Sequence, residues 1–169
     1  MSTCTGIFIR SAGDRDIKPA AEFAFRMIKE VYDRGINPVW DCDLLNFEEA
    51  YIKTQGNTFL VAFDKNDKIV GTLAVRRYDG RIQALEGFDL KATAELAKCF
   101  VDKRYRRTGI GSLLLKEAEQ FCKRSGYKSI YLHTHMYLPG ALEFWRSRGF
   151  KVRLDEGGPS QTVHMEKNI

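Results

Sequence analysis

Apolar positions along the chain keep two rhythms, and the changes between them mark out the elements. Ile17, Ala20, Ala21, Ala24, Met27, Ile28 and Val31 recur at the spacing of one helix face. Asp14 or Asp16 can cap that helix, Pro19 is tolerated in its first turn, and Gly35 marks its end. A short strand at Ile7–Ile9 precedes it. Asn37–Asp43 reads as a loop carrying Trp40, Asp41 and Asp43, and a shorter helix follows over Leu45–Thr54, stopped near Gly56. Thr58–Phe63 and Ile69–Val75 are rich in β-branched and aromatic residues. Asn66-Asp67 lies in the turn between them, so the pair reads as a hairpin. Asp79-Gly80 punctuates the chain, and from Gly80 to Lys91 the pattern predicts no definite element.

The second half alternates strand and helix. Leu96–Val101 reads as a strand. Gly109–Ser125 reads as a helix with Leu114, Ala118, Phe121 and Cys122 inward and Gly126 as its stop. Ser129–His133 is strand-like, Ala141–Arg148 is a short helix ended by Gly149, and Val152–Leu154 with Thr162–Met165 closes the chain as a strand pair around Gly157-Gly158-Pro159. This order predicts an α/β (α+β) fold with a mixed sheet. With no repeat, linker or low-complexity tract, residues 1–169 read as a single domain.

Composition adds limits. A chain of 169 residues, 44% hydrophobic and 29% charged, can bury a core without staples, which excludes a disordered or fibrous chain. The net charge of +5 permits an anionic ligand or nucleic acid but demands neither. No apolar run reaches the roughly 18 residues of a membrane span, and the start MSTCTGIFIR lacks the pattern of a cleaved signal. Cys4, Cys42, Cys99 and Cys122 are scattered and form no CxxC pair, so a reduced, cytoplasmic protein without disulfides or a zinc ribbon is expected.

The chemistry concentrates in Cys99-Phe100-Val101-Asp102-Lys103-Arg104-Tyr105-Arg106-Arg107-Thr108-Gly109-Ile110-Gly111-Ser112. A strand ends, a basic loop follows, and two glycines open a helix. Free N–H groups at a helix start and the dipole behind them favour anions. Glycine lets a ligand approach the backbone, and Arg106 and Arg107 add charge-assisted donors. The arrangement suits a phosphate or pyrophosphate. It is not a Walker loop, since GxxxxGK[ST] is absent. It is not a dinucleotide fingerprint either, since Leu114 stands at the third glycine site.

Arg106-Arg107-Thr108-Gly109-Ile110-Gly111 has the form RxxGxG after a strand, and Ala141-Leu142-Glu143-Phe144-Trp145-Arg146-Ser147-Arg148-Gly149-Phe150 has the form AxxxWxxxGF. Together with Gly126-Tyr127 and the Ser129–His133 strand, these residues resemble the GNAT superfamily of acyl-CoA-dependent N-acyltransferases. The motif-bearing likeness spans about Ala94–Val152. It implies a central mixed, mostly antiparallel sheet flanked by helices, and acetyl-CoA as acyl donor with no metal. It also implies direct transfer to a primary amine, on a small molecule or a peptide, in a ternary complex.

The resemblance implies roles for individual positions. The backbone of Cys99, Phe100 and Val101 would receive the thioester and pantetheine amides by strand addition, with an N–H near Cys99 or Phe100 facing the oxyanion. The amides of Arg107, Thr108, Gly109, Ile110, Gly111 and Ser112 would cradle the pyrophosphate beside Arg106. Glu95 stands where one histone-acetylating branch has its general base, acting directly or through water; the other reading is a solvent-facing or salt-bridged strand residue. Strand alternation would place Glu95, Ala97, Cys99 and Val101 on one face. Trp145 occupies the position of the frequent proton-donating tyrosine and cannot donate to a thiolate. Leu138 replaces a frequent asparagine. Trp145 is therefore expected as a wall of the cofactor cleft or as part of the core. The leaving thiolate would take its proton from Tyr137, His135 or solvent, or leave unprotonated. His135 is the second candidate acid or base.

Other readings remain at this point. His133-Thr134-His135 has the alternate spacing of a metal pair but lacks further ligands. Cys99 as a nucleophile lacks a paired base. Asp41, Asp43 and Trp40 could attract a cationic amine, or Asp43 could cap a helix. A non-catalytic acyl-CoA sensor on the same fold competes with the enzyme. A nucleic-acid module built on the KRYRR run competes less well, because no recognition helix or stacking motif accompanies it. Membrane partners are not expected. A homodimer is a common state in such families.

Overall fold

The computed structural model describes residues 6–169. Cys4 lies outside them.

Seven strands form one sheet in the order β1-β2-β3-β4-β5-β7-β6. They are β1 (Phe8–Ser11), β2 (Thr58–Phe63), β3 (Ile69–Arg77), β4 (Thr93–Val101), β5 (Ser129–His135), β6 (Lys151–Gly157) and β7 (Thr162–Asn168). Every neighbouring pair is antiparallel except β4–β5. The mixed, mostly antiparallel sheet is the one the sequence predicted. All six residues of β2 are buried, which explains its unbroken apolar run: helices cover both faces.

One face carries α3 (Ile110–Arg124). Its Ile110, Leu114, Leu115, Ala118 and Cys122 pack on Leu60, Leu73, Val75, Leu96 and Ile130. Gly71 on β3 makes this approach possible. A Cβ there would meet Ile110 at 3.1 Å, Leu114 at 3.2 Å and the Phe100 carbonyl oxygen at 3.2 Å. The opposite face carries α1 (Ile17–Tyr32), whose Ala20, Phe23, Ala24, Met27 and Ile28 pack with Leu44, Phe47 and Tyr51 on Phe59, Val61, Phe63 and Phe100. A last helix, α4 (Ala141–Ser147), follows β5 and ends at Gly149 (φ 91°).

Several boundaries differ from expectation for local reasons. Of Asp14 and Asp16, it is Asp16 that stands at the N-cap of α1, but its side chain makes no cap bond there. Both lie in a 3-10 turn, where Asp16 accepts from the Gly13 N–H at 2.7 Å and pairs with Arg10 at 2.5 Å. The left-handed residue at the end of α1 is Asp33 (φ 48°) rather than Gly35. The helix expected over Leu45–Thr54 splits into α2 (Cys42–Leu45) and a π-helical turn, Glu48–Lys53. Asn46 breaks it by turning its side-chain amide back onto the Cys42 carbonyl at 2.8 Å. β4 starts at Thr93 rather than Leu96, because buried Thr93 and Glu95 pair with β5. The ambiguous stretch after β3 is irregular. Its Leu85 and Phe88 pack with Tyr78 over Tyr131.

Candidate functional site

β4 and β5 are paired only through Thr93–Glu95 with Ser129–Tyr131. Beyond that point β4 runs on to Val101 and β5 to His135 with no pairing between them. The β5-facing edge of β4 therefore stays open from Leu96 onward, an edge that extended ligand amides can use.

Within the open part the strand is bulged. Thr72 lies opposite Phe100 and Ala74 opposite Ala97, so Lys98 and Cys99 share the space facing Leu73. Lys98 takes the left-handed conformation (φ 51°), and its carbonyl accepts from the Thr72 hydroxyl at 2.9 Å. The bulge shifts the alternation by one residue. Ala97 and Phe100 pack toward α1, while Ala94, Leu96, Cys99 and Val101 pack toward α3. The expected common face of Glu95, Ala97, Cys99 and Val101 is thus corrected: Glu95 and Ala97 look to one side, Cys99 and Val101 to the other. The Cys99 thiol is pushed up to about 12 by burial, which makes it a poor nucleophile and leaves its backbone as the useful part.

Past Val101 the chain makes a 3-10 turn, Lys103–Tyr105. Asp102 caps it by accepting from the Arg104 N–H at 3.0 Å. Arg104 returns an ion pair at 3.0 Å and Arg26 adds another at 3.6 Å, which together hold the Asp102 carboxyl well below its usual range. One charge of the basic run is therefore spent inside the turn. Arg106 bonds the Val101 carbonyl at 3.3 Å, Arg107 is left-handed (φ 62°), and Thr108 donates to the Tyr105 carbonyl. Gly109 (φ 88°) then starts α3, which has no side-chain cap. The amides of Ile110, Gly111 and Ser112 have no acceptor within the helix. Arg148, unmarked by any sequence signal, reaches across to the Ser112 hydroxyl at 2.5 Å while its guanidinium lies over Phe144. Open amides with Arg106, Arg107 and Arg148 around them, at the end of an open strand edge, fit a phosphate joined to an amide-rich arm.

Of the two places expected for Trp145, cleft wall or core, the packing gives the core. It is 7% exposed and packs edge-on against Phe144 at 4.9 Å and Phe150 at 5.4 Å.

The α1 side holds a chain of charges. Glu95 is completely buried. Its carboxylate bonds Arg76 at 3.1 Å and Arg81 at 2.5 and 2.8 Å. Burial alone would raise its pKa, but the two guanidiniums outweigh burial and the net shift is downward. A carboxylate so held stays ionised and is a weak base, so of the two readings of Glu95 the contacts favour the salt-bridged strand residue over the general base. Asp43 bonds the Tyr51 hydroxyl and lies 3.6 Å from both Arg76 and Lys98. Asp41, also fully buried, pairs with Arg34 at 2.7 Å, accepts from the Asn37 N–H at 2.8 Å and receives Lys98 at 3.4 Å. Burial opposes ionisation there too, and the partners again lower the pKa. Asp41 is taken up by the fold's own cations, whereas Asp43 Oδ1 is buried without a hydrogen-bond partner among the described residues, with the Lys98 ammonium 3.6 Å away.

Two histidines of β5 face this side. The His135 ring stacks on Tyr137 at 5.0 Å and meets Tyr32 edge-on at 6.0 Å. Its Nδ1 lies 3.0 Å from the Ser160 carbonyl and so carries the proton in the neutral ring. That leaves Nε2 with a lone pair. His133 lies between His135 and His164, with ring centres 5.9 and 6.1 Å away. Among the described residues no three His, Cys, Asp or Glu side chains converge as metal ligands, and no helix is long and apolar enough to cross a membrane.

The sheet opens at its one parallel seam, with an uncapped helix start beside the gap. The family model of the Acetyltransferase (GNAT) family matches residues 24–150, and the chain belongs to that family. Human N-acetyltransferase 8 is 30% identical over 112 residues, 64% of this chain and 45% of the relative. N-acetylaspartate synthetase of Xenopus tropicalis is 31% identical over 109 residues, 64% of this chain and 36% of the relative. The chain thus spans about half or less of these curated relatives. An acetyltransferase of the GNAT family from Staphylococcus aureus Mu50 superposes with a TM-score of 0.77 at 27% identity, covering 96% of this chain and 98% of that one. PaiA N-acetyltransferase from Thermoplasma acidophilum, solved in complex with coenzyme A, shares the fold. Its TM-score is 0.72 at 23% identity, covering 98% and 100%.

Proposed function

We propose that this protein transfers an acetyl group from acetyl-CoA to a primary amine by direct attack in a ternary complex. The observation that carries the reading is the continuity of the open β4 edge with the uncapped start of α3. Backbone groups of Cys99, Phe100 and Val101 receive the amide-bearing arm and polarise the thioester carbonyl. The amides of Arg107 to Ser112, with Arg106 and Arg148, hold the pyrophosphate. The ammonium form of the acceptor must lose a proton before attack, and His135 Nε2 takes it. The nitrogen lone pair then bonds the carbonyl carbon, the C–S bond breaks, and its electron pair leaves on the CoA sulfur. The second nitrogen proton ends on that sulfur through solvent. Glu95 keeps Arg76 and Arg81 in place and carries no proton.

Thermal unfolding with acetyl-CoA, CoA, NAD and duplex DNA at two salt concentrations tests the cofactor. Acetyl-CoA should raise stability by about 2.7 kcal/mol at a hundredfold excess over Kd, whatever the salt. Thiol release with a panel of amines tests turnover. A salt-sensitive shift with DNA and none with CoA would overturn the reading.

A further inference from the structure

The chain holds three histidines, and the fold brings all of them to one place on the α1 side of the sheet. His133 and His135 alternate along β5 with Tyr131, so the three side chains share a face, while Ile130 and Leu132 turn to α3. His164 comes from β7, directly opposite His133. The three rings are not equally engaged. His164 is 2% exposed and both its nitrogens are taken, Nδ1 by the Tyr131 hydroxyl and Nε2 by Glu156, each at 2.7 Å. His135 uses only Nδ1, against the Ser160 carbonyl and the Thr162 hydroxyl. His133 is exposed, and neither of its nitrogens bonds another described residue. Both His133 and His135 stand where β5 has parted from β4, past the last paired residue, Tyr131.

Unspent ring nitrogens on one face of the open strand make a site for an N–H donor. The ring centres of His133 and His135 lie 5.9 Å apart, edge to face. A tetrahedral nitrogen that donates to one nitrogen of each ring at about 2.9 Å holds the centres roughly 6 Å apart, so the pair needs little adjustment to grip one. A metal would need further ligands, and His164 has no nitrogen left to give. The charge state also suits a cation. One side of the His133 ring is open, but the protein packed round the rest disfavours the imidazolium, and Arg81, His135 and His164 repel it. Against the pull of Glu95, these push its pKa from 6.5 down to about 4. At neutral pH the ring therefore offers a lone pair and no charge to repel an ammonium. On the footing of the transferase reading above, we infer that His133 binds the acceptor nitrogen together with His135, accepting one N–H and holding the nitrogen while His135 takes the proton. The hydrogen given to His133 stays on nitrogen until the C–N bond has formed, so His133 positions the nucleophile and carries no proton away.

The carbon between the ring nitrogens gives each histidine its own NMR signal, and with three histidines in the chain single replacements assign them all. The full chain, in the presence of CoA, is titrated at neutral pH with n-butylamine, spermidine and alanylglycinamide, with n-butanol as control. At least one amine should shift the His133 and His135 signals saturably and in step, leaving His164 still, and the alcohol should shift none. Turnover of the same amines is compared between the wild type and His133→Phe, which keeps an aromatic ring and removes the acceptor nitrogens. For the amine used best, kcat/KM should fall about ten- to hundredfold with the KM for acetyl-CoA unchanged, the range expected for a lost hydrogen bond to a charged group. His133→Asn and His133→Gln put an amide oxygen near the places of Nδ1 and Nε2, and one of them should recover part of the loss. A His133→Phe protein as active as wild type, or an amine that is turned over while the His133 signal stays still, would overturn the inference. If no amine is acetylated, the transferase reading fails. The titration needs no turnover, so paired shifts then still uphold the two histidines as an amine site, and flat signals overturn this inference as well.

Discussion

The ammonium of Lys98 lies 3.4 Å from the carboxylate of Asp41, and this contact ties the bulge of β4 to the loop ahead of α2. Lys98 is the left-handed residue of the bulge, and its Nζ also approaches Asp43 and the Trp40 carbonyl. Two substitutions separate backbone from charge. Glycine relieves the left-handed strain and removes the ammonium, whereas methionine keeps the strain and removes only the charge. If the clamp holds the bulge, Lys98→Gly and Lys98→Met should both lower kcat, by roughly tenfold, and Lys98→Arg should restore part of it. Steady-state kinetics decide. A Lys98→Gly protein as active as wild type would leave the bulge to the backbone alone.

Glu95 makes acid stability predictable. Its folded pKa lies below the ordinary value of 4.5. Between those two values the unfolded chain binds more protons than the folded one. The stabilisation from the Arg76–Glu95–Arg81 cluster is therefore complete above pH 4.5 and is lost as pH falls through the folded value. Asp16, Asp41 and Asp102 shift the same way. Glu95→Gln should lower stability by about 3 kcal/mol at neutral pH, because it leaves guanidiniums unpaired. It should also flatten the acid limb. Chemical denaturation from pH 3 to 7 measures both.

Gly71→Ala should destabilise by about 1–3 kcal/mol, since one of the close contacts is the Phe100 carbonyl and backbone does not yield as a side chain does. A thermal midpoint equal to wild type would mean that α3 can move off β3.

Gly109→Ala should strain a left-handed helix start by about 1–2 kcal/mol and weaken CoA binding. Arg148→Ala should weaken CoA binding with little effect on folding, because its partner Ser112 stays at the surface. Calorimetric titration with CoA compares the two variants.

His135→Asn should lower kcat by about a hundredfold or more with the KM for acetyl-CoA unchanged. Steady-state kinetics measure both, and an unchanged kcat would remove His135 from the proton transfer.

The elements that bury a regular apolar face were legible in the sequence. The α1 and α3 periodicities, the β2–β3 hairpin and the strand–loop–helix around Arg106–Ser112 stand where the pattern put them. What escaped depends on residues distant in sequence or on backbone that leaves no signature. Nothing about Lys98 marks a left-handed residue, so the shift in strand phase was invisible and Cys99 was placed on the wrong face. The partners of Glu95 come 19 and 14 residues earlier, from β3 and an irregular loop. A carboxylate in a strand looks the same whether it waits for a proton or is clamped. The aligned position of Trp145 left cleft wall and core both open, and its packing against Phe144 and Phe150 decided for the core. Arg148 needed α4 and α3 to be side by side before it meant anything.

The short parallel seam has a mechanical consequence. β1–β4 and β5–β7 are two antiparallel half-sheets stitched together by three residue pairs at one end. Beneath the gap these two leaves share one buried cluster with α3. A molecule wedged between the leaves becomes a splint joining both, so its grip is felt well beyond the residues it touches. Amide exchange should slow on the far leaf, in β7, as well as along β4, when CoA is added.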